Sequence, residues 1–263
     1  MSNTVTLNIG APLGCVLSPL LYSLYTHDCT ANYKSNSIVK FADDTVVIGL
    51  ISNHDVTAYL NEIKMLTSWC NDNSLELNIA KTKELVVDFR RDKQRLHHTP
   101  LNIHGALVET VSHFKYLGVV ISKDLPWTSH ISNLVKKARR RLYHLRKLNK
   151  FRISRELQKT FYSATTESVI SGNITTWYGN SNSHDRRPCI VIRCAEKITS
   201  TALPGLQDIY TRRCLSRANT ILKDCHHPGH IMFQWLPSGK RLHSQKARTE
   251  RLRRSFSPKP YGQ

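Results

Sequence analysis

The chain has 263 residues, 40% of them hydrophobic, which is enough for a packed core and leaves room for one large domain or two modest ones. Its formal net charge of +19 predicts attraction to polyanions, with nucleic acid as the expected partner ahead of an anionic membrane surface. Seven irregularly spaced cysteines, no signal-peptide pattern and no bilayer-length apolar run exclude a secreted disulfide framework and a membrane span, and they predict an intracellular protein of the nucleus or cytoplasm.

The first part of the chain mixes predicted strands and helices. A short strand is predicted over residues 5–7, and a turn-forming loop follows over residues 10–14. A helix is predicted to begin at Ser18, which is a good N-cap and is followed by a proline and a leucine-rich face. Two β-rich runs, residues 38–41 and 45–48, are separated by a short polar turn and predict a hairpin.

The region up to residue 122 continues this alternation. Apolar side chains at helical spacing predict a helix over residues 54–73. Residues 75–89 return to strand-like composition, and residues 101–111 predict a hairpin with Gly105 at its turn. Residues 114–122 have the composition of a strand.

The remainder of the chain is predominantly helical by pattern. One apolar stripe predicts a helix over residues 131–145, and three more helices are predicted over residues 154–170, 188–201 and 206–223. From residue 224 onward the chain is rich in Pro, His, Lys and Arg, which is typical of a basic and flexible tail.

Asp43 and Asp44 are the first candidates for chemistry. Adjacent carboxylates in a tight hairpin repel each other, and a divalent cation relieves that repulsion. Carboxylate oxygen is the ligand that Mg²⁺ prefers, and phosphoryl transfer by two metal ions depends on such ligands. The alternative is an ordinary exposed turn, because Asp is common in turns.

Four motifs in order resemble the reverse transcriptases of non-LTR (LINE-type) retrotransposons. Residues 41–44 read Phe-Ala-Asp-Asp and resemble the F/Y-x-D-D box, and residues 10–20 resemble the loop and helix beside the incoming nucleotide. Residues 77–83, with Leu-Asn-x-x-Lys-Thr-Lys, resemble the next motif of that family. Residues 114–118, Phe-Lys-Tyr-Leu-Gly, resemble the hairpin that grips the primer end.

The resemblance implies a role for each matching residue. Asp43 and Asp44 would be catalytic metal ligands for Mg²⁺, and Gly14 would let the backbone approach the base pair. Lys81 could donate a proton to departing pyrophosphate, with a solvated loop lysine as the alternative. Three residues would hold nucleotide or primer, with strand packing as the alternative for the two aromatic ones: Phe114, Tyr116 and Gly118.

The fold class implied by this resemblance is α+β. Residues 1–125 would form a partial polymerase palm, an antiparallel sheet with helices. Residues 126–223 would form a helical, thumb-like region, and residues 224–263 would form the basic tail.

Two departures from the family pattern bear on activity. The first metal-binding Asp of the family precedes the Gly-Pro-Gly loop on a separate strand, and only nine residues precede Gly10 here. Leu13 stands where the family usually has Gln, and it cannot make the same hydrogen bonds. We therefore expect this chain alone to lack polymerase activity and to need a front-palm fragment as partner.

A dense run of positive charge lies on the helix predicted after residue 127. Such a stripe fits contact with the RNA and DNA backbone of a template–primer duplex, which gives affinity without reading sequence. The alternative is a solvated helix face, although such a face usually mixes signs. The stripe consists of Lys136, Lys137, Arg139, Arg140, Arg141, Arg146 and Lys147.

Two weaker signals favour other interpretations. Cys189 and Cys194, with the Cys-His-His-x-x-His run at residues 225–230, do not have the spacing of a compact zinc knuckle, so no zinc is expected. The helical region from residue 127 also resembles the segment named after the N-terminal part of AlkB homologue eight. That alternative is a helical interaction module, and the sequence shows neither an H-x-D…H iron triad nor a methyl-donor loop.

Overall fold

The computed structural model describes residues 15–90, 100–181, 185, 187–243 and 249–256. These residues form two compact units. The first comprises Met1–Glu84 with Arg91–Val111, and the second comprises Leu85–Arg90 with Ser112–Gln263. Helices and small sheets occur in the described parts of both, which confirms the α+β class. The predicted strand at residues 5–7, the loop at 10–14 and Gly14 lie outside the described residues.

The first unit is built around one hairpin and one long helix. Its sheets are two-stranded: β1 pairs antiparallel with β2, β4 antiparallel with β5, and β3 parallel with β6. The elements in chain order are α1 (Ser18–Tyr25), β1 (Asn36–Phe41), β2 (Asp44–Gly49), α2 (Thr57–Asp72), β3 (Lys83–Glu84), β4 (Asn102–Ile103), β5 (Ala106–Leu107) and β6 (Glu109–Thr110).

The core of this unit is small. Ile63 of α2 packs with Leu101, Ile103 and Val108, and the half-buried Tyr59 borders the cluster. Burial raises the pKa of Tyr59 to about 12, and the charge of Glu84 and a hydrogen bond to it add to the shift. The tyrosine hydroxyl therefore stays protonated and ties α2 to β3.

The helix α1 differs from its prediction in two ways. Leu17, not Ser18, occupies the N-cap position, and this leucine has no side chain that can accept a capping hydrogen bond. The leucines of the predicted apolar face are exposed, since none of the residues of α1 is buried by the described part of the chain.

Several predicted boundaries in this region change. The hairpins at 38–48 and around Gly105 are confirmed, as is the helix at 54–73, which forms over Thr57–Asp72. The strand predicted over residues 75–89 is wrong except for Lys83–Glu84. Residues 78–82 instead form a turn, in which Asn78 accepts hydrogen bonds from the backbone N–H groups of Lys81 and Thr82.

The second unit begins with a hairpin and continues as a helical bundle. The hairpin replaces the single strand predicted from the composition of residues 114–122, and it matches the hairpin implied by the family resemblance. The elements in chain order are β7 (His113–Tyr116), β8 (Val119–Ser122), α3 (Thr128–Lys150), α4 (Arg155–Tyr162), a π-helical turn (Ser163–Glu167), α5 (Ser168–Ser171), α6 (Ile174–Trp177), a 3₁₀ turn (Tyr178–Asn180), α7 (Arg187–Thr199), α8 (Leu206–Lys223), a 3₁₀ turn (His230–Met232) and α9 (Glu250–Arg254).

The core of the second unit forms where α3, α5, α6, α7 and α8 meet. The whole predicted apolar stripe of α3 is buried there, together with Tyr162 and Trp177. The Trp177 indole N–H donates to the carbonyl of Gly172 at 3.2 Å, which satisfies its buried polar group. The four predicted helices are thus confirmed, and the second of them is interrupted by the π-helical turn, a feature frequent at functional sites.

Part of the predicted tail is ordered against the bundle. Phe233 is buried and lies against Phe256, and the Arg251 guanidinium donates to the carbonyls of Asp124 and Leu125 at 3.3 Å. Among the described residues, none of the helices has the length and apolar content needed to cross a bilayer.

Gly118 lies in the tight turn between β7 and β8. Leu117 and Gly118 have φ of 45° and 84°, the left-handed pair that a two-residue hairpin turn requires.

An added Cβ at Gly118 meets nothing within 4 Å, so Gly118→Ala costs backbone strain alone, about 1 kcal/mol. We expect faster amide exchange across residues 113–122 in that variant. Leu117→Asn should slow amide exchange relative to the wild type, because Asn tolerates the left-handed backbone conformation at residue 117. Equal exchange rates in the two variants would show that backbone strain in this turn does not control the stability of the hairpin.

Candidate functional site

Asp43 and Asp44 lie at the tip of the β1–β2 hairpin. Phe41 pairs with Asp44 across the two strands, which leaves Ala42 and Asp43 as the two-residue turn. Ala42 has φ of 51°, a left-handed conformation that is strained for a residue with a Cβ. The turn therefore presents two adjacent carboxylates, one in the loop and one at the first position of β2.

Both carboxylates are open to solvent. Among the described residues, neither has a recorded hydrogen bond or ion pair. The charge of Asp43 is felt on α1: burial raises the pKa of Tyr22, and the negative charge of Asp43 raises it further. The pair is thus a concentrated and uncompensated negative charge, which is the property a divalent cation would need.

Lys40 connects the hairpin to the end of α1. Its ammonium donates to the backbone carbonyls of Thr26 and Cys29, the latter at 3.0 Å. These carbonyls lie in and after the C-terminal turn of α1, where a cation is favourable. The lysine, three residues before Asp43, fixes β1 relative to this helix.

Glu62 of α2 holds the other end of β1, and the sequence interpretation missed it. The side chain is fully buried, and its carboxylate accepts hydrogen bonds from the backbone N–H groups of Asn32 and Tyr33 at 3.0–3.1 Å. The amide groups of Asn32 and Asn36 donate to it at 3.1 Å. Burial acts to raise the pKa of Glu62, but these hydrogen bonds outweigh it and hold the pKa below its usual value. A charged carboxylate therefore anchors the start of the hairpin to α2.

The sequence around Glu62 contains one usable signal. A carboxylate at residue 62 borders the apolar stripe of α2, and buried acids are rare unless their oxygens are paired. Its partners lie about 30 residues earlier in the chain, and no local pattern identifies them.

Lys81 lies in the exposed turn after α2. Among the described residues, no side-chain hydrogen bond or ion pair is recorded between Lys81 and the carboxylates of the hairpin tip. The neighbouring Lys83 has a structural role, because its ammonium pairs with Glu109 at 2.7 Å and donates to the Ala80 carbonyl. The role inferred for Lys81 stays a prediction.

Phe114, Tyr116 and Gly118 lie together on the β7–β8 hairpin of the second unit. Phe114 pairs with Ile121 and Tyr116 with Val119, so the two aromatic side chains point to the same face of β7. Phe114 is partly exposed and Tyr116 is half-buried. Their inferred contact with a primer stays a prediction, as does the role of Gly14.

The cationic stripe is presented by α3 as a continuous exposed surface. Each of its seven residues is exposed, and the helix contains no acidic side chain. The stripe runs to the C-terminal turn, where Lys147 lies 5.5 Å from the centre of the Tyr143 ring. The members are Lys136, Lys137, Arg139, Arg140, Arg141, Arg146 and Lys147.

A cavity of about 570 Å³ adjoins the last turns of α3. Arg141 and Lys147 line it together with two aromatic side chains, the exposed Phe151 and the half-buried Phe161. Cations interleaved with exposed aromatic rings are a common arrangement for binding nucleic-acid backbone and bases.

Among the described residues, no group of three or more His, Cys, Asp or Glu side chains is placed to hold a metal ion. Beside the Asp43–Asp44 pair, the described residues therefore place no third side chain of these types within metal-binding reach. Cys225 contacts His226 at 3.4 Å, and none of the seven cysteines, all of which the structure describes, forms a disulfide.

Comparison with known proteins supports the resemblance for the first half of the chain. Residues 3–121 match the family model described as reverse transcriptase (RNA-dependent DNA polymerase). Three relatives from Drosophila melanogaster are similar to this chain. The "Probable RNA-directed DNA polymerase from transposon BS" is 27% identical over 52% of this chain, and the probable RNA-directed DNA polymerase from transposon X-element is 27% identical over 48% of it. The RNA-directed DNA polymerase from mobile element jockey is 25% identical over 48% of this chain. The aligned segments cover only 14–16% of those relatives.

A second family model matches residues 127–168, and it is described as alkylated DNA repair protein alkB homolog 8, N-terminal. That match covers α3, α4 and the π-helical turn, and it supports the alternative only weakly. No solved structure matches the chain. The similarities support a partial, LINE-type reverse transcriptase domain in the first half of the chain.

Proposed function

We propose that this chain contributes the rear palm of an RNA-directed DNA polymerase, with Asp43 and Asp44 as metal ligands, and that α3 binds the nucleic-acid backbone. The supporting observation is the strained two-residue turn that exposes two adjacent carboxylates without a compensating cation among the described residues. Strain of this kind is kept where the surroundings over-determine it, which is common at active sites.

The carboxylate pair fits Mg²⁺ by its chemistry. Both side chains are exposed, both supply oxygen ligands, and their mutual repulsion falls when a cation lies between them. When bound, the ion would supply charge neutralisation for phosphoryl transfer. Two carboxylates carry less negative charge than two divalent ions carry positive charge, so we propose that a front-palm segment supplies a further carboxylate.

The remaining residues have auxiliary roles in this proposal. Lys81 lies in an exposed turn and is free to meet departing pyrophosphate. Phe114 and Tyr116 offer aromatic surface to a primer end, and Gly118 shapes the turn that carries them. Asp43 would hold the ion through its carboxylate, and Lys40 and Glu62 position the strand that ends beside it.

The test is primer extension with the 263-residue chain, Mg²⁺, deoxynucleotides and a template–primer duplex. We expect no extension by the chain alone and extension when a front-palm polypeptide is added. Asp43→Asn should then reduce extension by about 1,000-fold, because it removes charge complementarity worth several kcal/mol in the transition state. Asp72→Asn, at an exposed carboxylate at the end of α2, is the matched control and should keep full activity.

A second measurement is independent of activity. Mn²⁺ should broaden the amide resonances of residues 41–46 in the wild-type chain, and Asp43→Asn combined with Asp44→Asn should abolish that broadening. Extension by the unassisted chain would refute the need for a further carboxylate. Undiminished extension or broadening in the Asp43 variants would refute the metal-ligand role.

A further inference from the structure

A second cavity, of about 490 Å³, lies wholly within the helical unit. Its wall includes the Gly118 turn, residues of α3 between His130 and Arg141, and residues of α5 with the junction that follows it. Three cations of α3 line it, Lys137, Arg140 and Arg141, and among the described residues no acidic side chain does. The volume is in the range of small-molecule and cofactor sites.

The three cations make this cavity a site of uncompensated positive charge. Among the described residues, none of them has a recorded ion pair with an acidic side chain. Lysine and arginine side chains that converge on one concave surface favour a ligand with several negatively charged oxygens. Ser168, which also lines the cavity, donates its hydroxyl hydrogen to the carbonyls of Ala164 and Thr165 in the preceding π-helical turn at 2.7–2.8 Å, so it offers only an acceptor.

His130 adds a directional donor to the wall. The ring is buried between Trp127 and Trp177, and its Nδ1 accepts a hydrogen bond from the backbone N–H of Val120 at 3.3 Å. Burial lowers the pKa of His130 and the charge of Lys137 lowers it further, so the ring is neutral at pH 7. Because Nδ1 accepts, the hydrogen of the neutral ring is on Nε2.

The Nε2–H group is shielded from solvent, and it has no hydrogen-bond partner within the described part of the chain. A buried donor without a partner is costly, and such groups in native proteins usually have a ligand, an ion or a water as partner. An oxygen atom of an anionic ligand in this cavity would satisfy it. A neutral histidine donor and three cations together fit a tetrahedral oxyanion better than a planar apolar ligand.

We propose that this cavity binds a phosphate group of a nucleic-acid strand, with Arg140, Arg141 and Lys137 neutralising its charge and His130 donating to one of its oxygens. The inference rests on the proposed role of α3 in nucleic-acid binding and deepens it, because it assigns one phosphate to one concave site. The rest of the cationic stripe lies outside this cavity and would contact other phosphates of the same strand.

The helical unit offers a matched pair of double variants. Arg140→Gln with Arg141→Gln removes two charges from the cavity, whereas Arg193→Gln with Lys197→Gln removes two charges from exposed positions of α7 that do not line it. The probe is inorganic phosphate, titrated against chloride at equal ionic strength while binding of a labelled oligonucleotide is followed. We expect phosphate to compete specifically with the oligonucleotide in the wild type. The cavity variant should lose about tenfold or more in phosphate affinity, and the control should lose less than about twofold.

His130→Phe tests the donor while retaining an aromatic ring. We expect about a tenfold loss of phosphate affinity, the usual effect of one hydrogen bond to a charged group. Imidazole ¹⁵N resonances provide a direct readout, since phosphate should shift one of the 13 histidine signals, the one that is absent in this variant. The arginine pair keeps the proposal testable even if His130→Phe fails to fold.

Oligonucleotides with and without a 5′-phosphate distinguish the two sources of the group. A higher affinity for the oligonucleotide with the 5′-phosphate indicates that the cavity binds a terminal phosphate monoester. Equal affinities for the two oligonucleotides indicate that it binds a phosphate diester of the backbone. Equal losses in the cavity and control variants, or no phosphate effect beyond that of chloride, would overturn the site while leaving oligonucleotide binding by α3 intact. Phosphate binding without any oligonucleotide affinity would instead overturn the nucleic-acid source and with it the proposed role of α3.

Discussion

Replacing Glu62 by alanine is expected to release the β1–β2 hairpin from α2. The variant leaves two backbone N–H groups and two side-chain amides without their buried acceptor. Each buried polar group that loses its partner costs about 1–3 kcal/mol, so the local destabilisation should reach about 3 kcal/mol. Amide exchange across residues 36–49 should then be about 100-fold faster, because each 1.4 kcal/mol corresponds to a factor of ten.

Two further variants make this prediction specific. Glu62→Gln should also destabilise the hairpin, because its amide would present hydrogens to groups that are themselves donors. Glu76→Ala removes an exposed carboxylate beyond the end of α2 and should leave exchange of the hairpin unchanged. Full protection of residues 36–49 in Glu62→Ala would show that the buried network does not hold the hairpin.

Lowering the pH should reproduce part of the hairpin destabilisation expected for Glu62→Ala. The folded-state pKa of Glu62 lies below its usual value, since the hydrogen bonds to its carboxylate outweigh the effect of burial. The resulting stability is therefore complete above the unfolded-state pKa of about 4.3 and is lost as pH falls through the lower folded-state pKa. This acid-dependent loss of hairpin protection should be present in the wild type and absent in the alanine variant.

The elements that sequence patterns predicted correctly are those encoded locally. The β1–β2 hairpin follows from two β-rich runs around a short polar turn, and the burial of α3 follows from its apolar spacing. In each case the pattern that favours the element also determines which side chains face the core.

The features that sequence patterns missed depend on distant partners. The apolar run of residues 75–89 predicts a strand, yet pairing occurs only at Lys83–Glu84, where β6 supplies the partner. Glu84 is buried there because Tyr59 and Thr110 contact its carboxylate from other parts of the chain. His130 was likewise overlooked, because its buried position between two tryptophans is a property of the assembled bundle.

Neutralising the outer part of the α3 stripe is expected to weaken nucleic-acid binding strongly and without regard to sequence. The test variant combines Lys136→Gln, Arg139→Gln, Arg146→Gln and Lys147→Gln, all at exposed positions that leave the apolar stripe of the helix intact. Each lost phosphate contact should reduce the slope of log affinity against log salt by about 0.9, so the slope should fall by up to about 4. Affinity for a duplex should fall by roughly 100-fold at 0.1 M salt.

A control variant distinguishes the loss of direct contacts made by α3 from the loss of net positive charge. Arg193→Gln, Lys197→Gln, Arg212→Gln and Lys223→Gln remove the same charge from exposed positions of α7 and α8. Long-range attraction depends on total charge and is screened within about 10 Å at 0.1 M salt, whereas direct phosphate contact depends on position. If α3 contacts the nucleic-acid backbone, the slope of log affinity against log salt becomes smaller in the α3 variant and stays unchanged in the control. If the slope falls equally in both variants, the stripe acts only through the net charge of the chain, and α3 is not the interface.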